Sequence, residues 1–127
     1  MNAEIYQISF DQFVDMLMDY PDKEVAVYAA KLSAEILVGI YEDKPLCFVG
    51  LIPKTLISDS AYVWMITTEF GEDHGLIIAR YSRGFIDVAL EKYRQLFGHC
   101  FNDRSARWLR RLGVEFISDS EFEIGRA

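Results

Sequence analysis

At 127 residues, 51% hydrophobic and 14% aromatic, the chain has the size of one domain and enough apolar surface to bury a core without help from a metal or disulfides. Its formal charge of −7 argues against a general nucleic-acid binder, whose phosphate contacts need clustered Lys and Arg. No stretch reaches the ~18 uninterrupted apolar residues of a membrane span, nothing at the N-terminus reads as a signal peptide, and Cys47 and Cys100 lack metal-ligand spacing, so a reduced, cytoplasmic protein without a metal is expected.

Residues 5–8 read as a short strand, and Ser9 opens a helix with Gln12 three residues on, the spacing of a capping box. Phe10, Phe13, Val14, Leu17 and Met18 share one helical face, with Asp11, Asp15 and Asp19 opposite, until Tyr20-Pro21 ends the run. A second helix is predicted over residues 22–34, with Val25, Ala29 and Leu32 turned inward. Residues 36–41 and 46–51 are strand-favouring apolar runs that form an antiparallel hairpin around the turn Glu42-Asp43-Lys44-Pro45. A third run, 61–69, completes a three-strand meander and carries Glu69 at its end.

Gly71-Glu72-Asp73-His74-Gly75 breaks the pattern before a helix of roughly twenty residues, marked by Ile78, Tyr81, Phe85, Val88 and Ala89 at helical spacing. Gly84 inside it costs about 1 kcal/mol against alanine, which close packing on the sheet would explain. Residues 96–101 form a short strand interrupted by Gly98. Asn102 or Asp103 then caps a short helix whose packing stripe is Ser105, Trp108, Leu109 and Leu112, Gly113 stops it, and Val114, Phe116 and Ile117 read as a strand. Residues 121–124 return as a last edge strand. Open edges on the hairpin and on this strand leave room for a homodimer.

Charge divides unevenly: residues 1–64 carry 4 basic and 10 acidic side chains, residues 65–127 carry 9 and 10. Arg104, Arg107, Arg110 and Arg111 form the basic cluster, and on a helix 104, 107 and 111 share a face. That face suits an acidic partner, a nucleic-acid phosphate or the 3′-phosphate of a CoA, or stays solvated with Glu115 and Asp119 as internal partners.

The order Asn102, Ser105, Ala106, Trp108, Leu112-Gly113 and a strand resembles the segment that closes the GNAT N-acetyltransferase fold. Together with the strand bearing Trp64, Thr67 and Thr68 and the long helix, residues 62–116 are most similar to the acetyltransferase-like small proteins of tailed phages, among them proteins grouped with internal virion proteins. The resemblance implies an α/β (α+β) fold with a mixed sheet: an N-terminal helical pair, a meander, one long helix, then strand-helix-strand. It also implies a cleft for acetyl-CoA. Pantetheine would pair with the strand at Met65, Ile66 and Thr67, the pyrophosphate would sit at Gly71 and Gly75 on the helix N-terminus, and Asn102 would stand nearby.

Two departures from the family pattern fall on this cleft. The loop GEDHGL lacks the family's glycine spacing and sets Glu72 and Asp73 where a diphosphate would lie, opposing it by Coulomb repulsion unless Arg80 or Arg83 offsets them. Leu109 occupies the place of the tyrosine that protonates the departing thiolate, and leucine has no proton to give. Tyr62, Tyr81, Tyr93, His99 and Cys100 are conceivable substitutes, and His74 is a conceivable substrate or loop-supporting residue. Two readings follow from the resemblance. One is a non-catalytic phage protein without cofactor that serves virion assembly or protein contact, located in the host cytoplasm or the particle. The other is an acetyl-CoA-dependent N-acyltransferase with a non-standard cofactor loop and with Glu69 or a water as base.

Overall fold

The computed structural model describes residues 3–17, 23–54, 59–99, 110, 115–116, 118 and 121–125. Its elements in chain order are β1 (Glu4–Ile8), α1 (Phe10–Leu17), α2 (Lys23–Leu32), β2 (Glu35–Tyr41), β3 (Lys44–Pro53), β4 (Ser60–Thr67), α3 (Glu69–Glu72), α4 (Gly75–Lys92), β5 (Gln95–His99), β6 (Glu115–Phe116) and β7 (Glu121–Gly125). Among the described residues, seven strands form one mixed sheet in the order β1-β2-β3-β4-β5-β7-β6, in which only the β4–β5 pair is parallel. This is the α/β architecture with a mixed sheet that the sequence led us to expect.

The first helix begins as its sequence dictates. Ser9 Oγ accepts from the Gln12 amide at 3.1 Å, and Gln12 Oε1 accepts from the Ser9 amide at 2.8 Å, so each side chain satisfies the other residue's otherwise orphaned amide. Phe13 and Leu17 are buried below. The second helix departs from its predicted face. Ala26 and Ala30 lie against the sheet while Val25 and Leu32 stand in water, a rotation of about 100° from the predicted orientation. Small residues let the helix sit close over the Phe13, Phe48 and Trp64 cluster, and that packing outweighs burial of the larger side chains.

Strand alternation divides the core into two layers. Ile36, Val38, Phe48, Trp64 and Ile66 face α1 and α2. Leu37, Cys47 and Val49, with Val63 and Met65, face Ile78 and Phe85 of α4. A third cluster of Leu51, Ala61, Ala89 and Leu96 closes the far end of α4 over the sheet. Gly84 meets the first strand: a Cβ there would stand 3.2 Å from Ile5 Cδ1, which agrees with the packing expected of a glycine inside this helix.

The hairpin is tighter than the four-residue turn predicted. Tyr41 pairs with Lys44, leaving Glu42 and Asp43 as a two-residue loop with φ of 52° and 63°. Two successive left-handed residues match the twist of the flanking strands. Neither hairpin strand is an edge, because β1 pairs along β2 and β4 along β3. The last strand is likewise internal, since β7 lies between β5 and β6. The sheet ends at β1 and β6, because β6 runs back beside β7 and takes the outer position.

Candidate functional site

The expected site falls on β4 beyond the end of its pairing with β5. Their parallel pairing runs from Ser60↔Gln95 to Val63↔Gly98, while β4 continues through Trp64, Met65, Ile66 and Thr67. Across the other edge of β4, the bonds Thr68 N–H to Leu46 O (3.0 Å) and Lys54 N–H to Ser60 O (3.3 Å) fix which residues pair backbone to backbone with β3. Antiparallel pairing alternates, so Trp64 and Ile66 turn their amides toward β3, and Met65 and Thr67 turn theirs toward the side of β5. Of the three strand residues assigned to pantetheine, Met65 and Thr67 therefore turn their backbone groups to the β5 side. The Ile66 side chain is buried under α1 and α2.

Thr67 carries a second feature. Its side chain is 6% exposed, and its Oγ1 has no hydrogen-bond partner. Among the described residues the other such atom is Glu35 Oε2, whose carboxylate is already paired through Oε1 with Lys92. A buried hydroxyl without a partner costs about 1–3 kcal/mol, so the Thr67 hydroxyl is an unfavourable unpaired polar group at the end of β4.

Beyond Thr67 the predicted loop is wound into α3. Thr68 caps it: the Thr68 Oγ1 accepts from the Gly71 amide at 2.9 Å and lies 2.7 and 3.0 Å from the carbonyls of Pro45 and Leu46. Leu46 is the extra residue of a β-bulge, since Gly39 pairs with Cys47 and Ile40 with Pro45. The bulge aims its carbonyl at the turn. Gly71 sits directly on it, and a Cβ there would be 2.0 Å from the Leu46 oxygen. Gly71 is thus a packing glycine.

The amides of residues 71 to 74 are each engaged within the protein. Gly71 N–H donates to Thr68 Oγ1, Glu72 N–H to Thr68 O at 2.9 Å, Asp73 N–H to Glu69 O at 3.3 Å, and His74 N–H to Gly71 O at 3.0 Å. A diphosphate cradle works by presenting free amides to the anion. Residues 71 to 74 present none, and Glu72 and Asp73 are exposed on the same turn. Gly75 begins α4, with His74 at its cap position and no side-chain capping bond.

Glu69, expected at a strand end, is instead the first residue of α3 and is exposed. The extended run stops at Thr67 because Thr68 is a good N-cap and acidic residues follow it in the first turn. Threonine followed by Glu69 and Glu72 was the available signal for this helix, and the strand-like run before it masked that signal. His74 supports the turn: its Nδ1 lies 2.8 Å from Phe70 O, so that nitrogen carries the proton. The imidazole also lies tilted with its centroid 4.3 Å from that of the Phe70 ring and 5.6 Å from that of Tyr41, with Lys44 Nζ 5.3 Å over Phe70.

The remaining candidates scatter. Tyr62 packs half-buried on the α1–α2 side, and Tyr93 is the half-buried C-cap of α4. Arg80 and Arg83 are exposed on α4. Arg110 is exposed and lies 4.4 Å over the Phe116 ring. Asn102, Arg104, Arg107, Leu109, Arg111 and Cys100, and the side chains of Tyr81 and His99, lie outside the described residues. Cys47 is no nucleophile: burial pushes its thiol up to about 12, against a smaller lowering by a hydrogen bond with the Gly39 backbone. Among the described residues no group of His, Cys, Asp and Glu could hold a metal, and no helix is long and apolar enough to cross a membrane. A cavity of about 360 Å³ beside Ser9, Ala30 and Glu35 lies at the other end of the sheet from Thr67.

No protein-family model and no curated protein matches the sequence. Solved structures do match the fold. The ribosomal-protein-S5-alanine acetyltransferase of Vibrio fischeri superposes with a TM-score of 0.70 at 12% identity, covering 98% of this chain and 93% of that one. A Desulfovibrio desulfuricans protein assigned to the GNAT family of acetyltransferases gives 0.68 at 13% identity, covering 98% and 99%. An acetyltransferase from Thermus thermophilus gives 0.68 at 11%, covering 99% and 98%. The chain shares the fold of GNAT-family acetyltransferases, and identities this low speak to fold alone.

Proposed function

We propose that this chain is a phage-type protein that keeps the acetyltransferase fold without acyl transfer and serves protein contact, in virion assembly. One observation carries the non-catalytic half: the amides of Gly71, Glu72, Asp73 and His74 already donate within the protein, on a turn that also exposes two carboxylates. A cofactor diphosphate would have to break those bonds and approach like charge. The assembly half rests on the resemblance of residues 62–116 to small proteins of tailed phages. Its place would be the host cytoplasm or the particle, and its partners other virion or host proteins.

Calorimetric titration with coenzyme A and acetyl-CoA tests the first half, with no heat and no change in melting temperature expected at millimolar ligand. A ligand at 100 times its Kd would add about 2.7 kcal/mol of stability, and such a shift would overturn the reading. For the second half, antibody detection across purified assembly intermediates should find the chain in at least one of them. Absence from all would remove the assembly role.

A second reading has its own support. The unpartnered Thr67 hydroxyl and the backbone of Met65 and Thr67 border the cleft where pantetheine would lie, and Glu69 is exposed one turn away. Under that reading the chain is an N-acyltransferase that holds acetyl-CoA by its pantetheine arm, with Asn102 nearby and Glu69 accepting the proton of the acceptor amine. Turnover of acetyl-CoA that falls by about 10²-fold in Glu69→Gln would favour it.

A further inference from the structure

Helix α2 has two apolar faces. One, with Ala26 and Ala30, is buried on the sheet. The other carries Val25, Tyr28 and Leu32, which are 57%, 65% and 51% exposed. Steps of three and four residues place them in one stripe along the helix. A surface helix normally turns polar residues to that side. The three side chains together present on the order of 300–400 Å², the size at which an apolar patch on a monomer is often functional.

The flanks of the stripe indicate what covers it. Glu24 and Lys31, both exposed and seven residues apart, lie on the same flank two turns from each other. The other flank carries Ala29, which is small enough to let a neighbouring helix approach. We infer that α2 is a self-pairing surface, in which two copies of the chain set their α2 helices antiparallel about a two-fold axis near Tyr28. Reversal brings Val25 of each copy against Leu32 of the other, with the Tyr28 rings at the centre. In an antiparallel pair like flanks meet, so Glu24 of each copy faces Lys31 of the other, and one acidic and one basic residue per helix become two ion pairs. Parallel pairing would set both charges against Ala29 and leave them unmatched. The buried area stays below the ~1,200–2,000 Å² of a stable interface, so the dimer is reversible and concentration-dependent. This surface lies across the sheet from α4 and is independent of whether coenzyme A binds.

Sedimentation equilibrium of the full chain over roughly 10 µM to 1 mM reads the association directly. A monomer–dimer equilibrium is expected, weakened at least about tenfold by Tyr28→Glu, which puts a charge at the centre of the seam. Glu24→Lys and Lys31→Glu should each weaken it, and the double swap Glu24→Lys with Lys31→Glu should restore it to within about threefold, a pattern that a merely structural role would not give. These two positions are exposed, so the charge set stays informative if Tyr28→Glu proves misfolded by circular dichroism. A monomer at every concentration, a dimer indifferent to Tyr28→Glu, or a double swap as weak as its parents would overturn the inference. So would capture of a different protein on the stripe without self-association.

Discussion

Gly71 stands against the backbone of Leu46 so closely that a Cβ would lie 2.0 Å from the Leu46 carbonyl oxygen. The obstacle is main chain of a central strand, which cannot swing aside as a side-chain tip can. Gly71→Ala should therefore destabilise the protein by about 1–3 kcal/mol, seen as a lower urea midpoint with unchanged slope. A variant as stable as the parent would show that α3 is not seated on the bulge as described.

Trp64 and Ser33 make a second checkable pair. Trp64 Nε1 donates to Ser33 Oγ at 2.7 Å, and that hydroxyl donates onward to Ala29 O at 2.8 Å. Ser33→Ala leaves the indole N–H of a side chain only 1% exposed without an acceptor. A loss of about 1–3 kcal/mol is expected in denaturant titration.

The hairpin turn leaves stability to be gained. Glu42 and Asp43 both adopt positive φ, which disfavours residues with a Cβ, Glu more than Asn or Asp with their short polar side chains. Asn-Gly is the pair this turn geometry prefers. Glu42→Asn with Asp43→Gly should raise stability by about 0.5–1 kcal/mol, read as a higher melting temperature.

Cys47 gives a pH dependence whose sign is fixed. Its thiol is pushed up from an ordinary value of 9.0 to about 12, so above pH 9 the unfolded chain loses a proton that the folded chain keeps. Its contribution is fully present below pH 9 and is lost as pH rises toward 12, at a limiting slope of about 1.4 kcal/mol per pH unit. Cys47→Ala should flatten that part of the stability profile, and the native thiol should resist thiol reagents at neutral pH.

Thr67 separates the two functional readings. Thr67→Val removes a buried hydroxyl that has no partner, so the free protein should gain about 1 kcal/mol in thermal or urea unfolding. If the cofactor reading holds, the same variant should also weaken acetyl-CoA binding. If the contact reading holds, only stability moves.

Much of this fold was legible in local chemistry. Ser9 and Gln12 announce the first helix because a capping box is satisfied within four residues, and the hairpin follows from two apolar runs around a polar turn. What depends on distant chain was not legible. The inward face of α2 could not be read, since Val25 and Leu32 satisfy helical spacing as well as Ala26 and Ala30, and only the bulk of Phe13 and Trp64 beneath decides between them. The turn at 68–74 reads as a loop for a similar reason. Nothing local shows that α3 is seated there on Gly71, which answers to a bulge at Leu46, twenty-five positions earlier in the chain. Two expected open edges were covered by β1 and by the swap of β6 and β7, arrangements that periodicity does not encode.

The place of β7 between β5 and β6 bears on how the protein is made. A chain emerging from the ribosome displays β5 well before residues 121–125 exist to flank it, so its sheet has to wait for a later insertion by those residues. During that interval the Gln95–His99 strand offers an unsatisfied margin to any neighbouring nascent chain. Synthesis that halts near residue 118 would make this hazard permanent, and such fragments should collect in inclusion bodies.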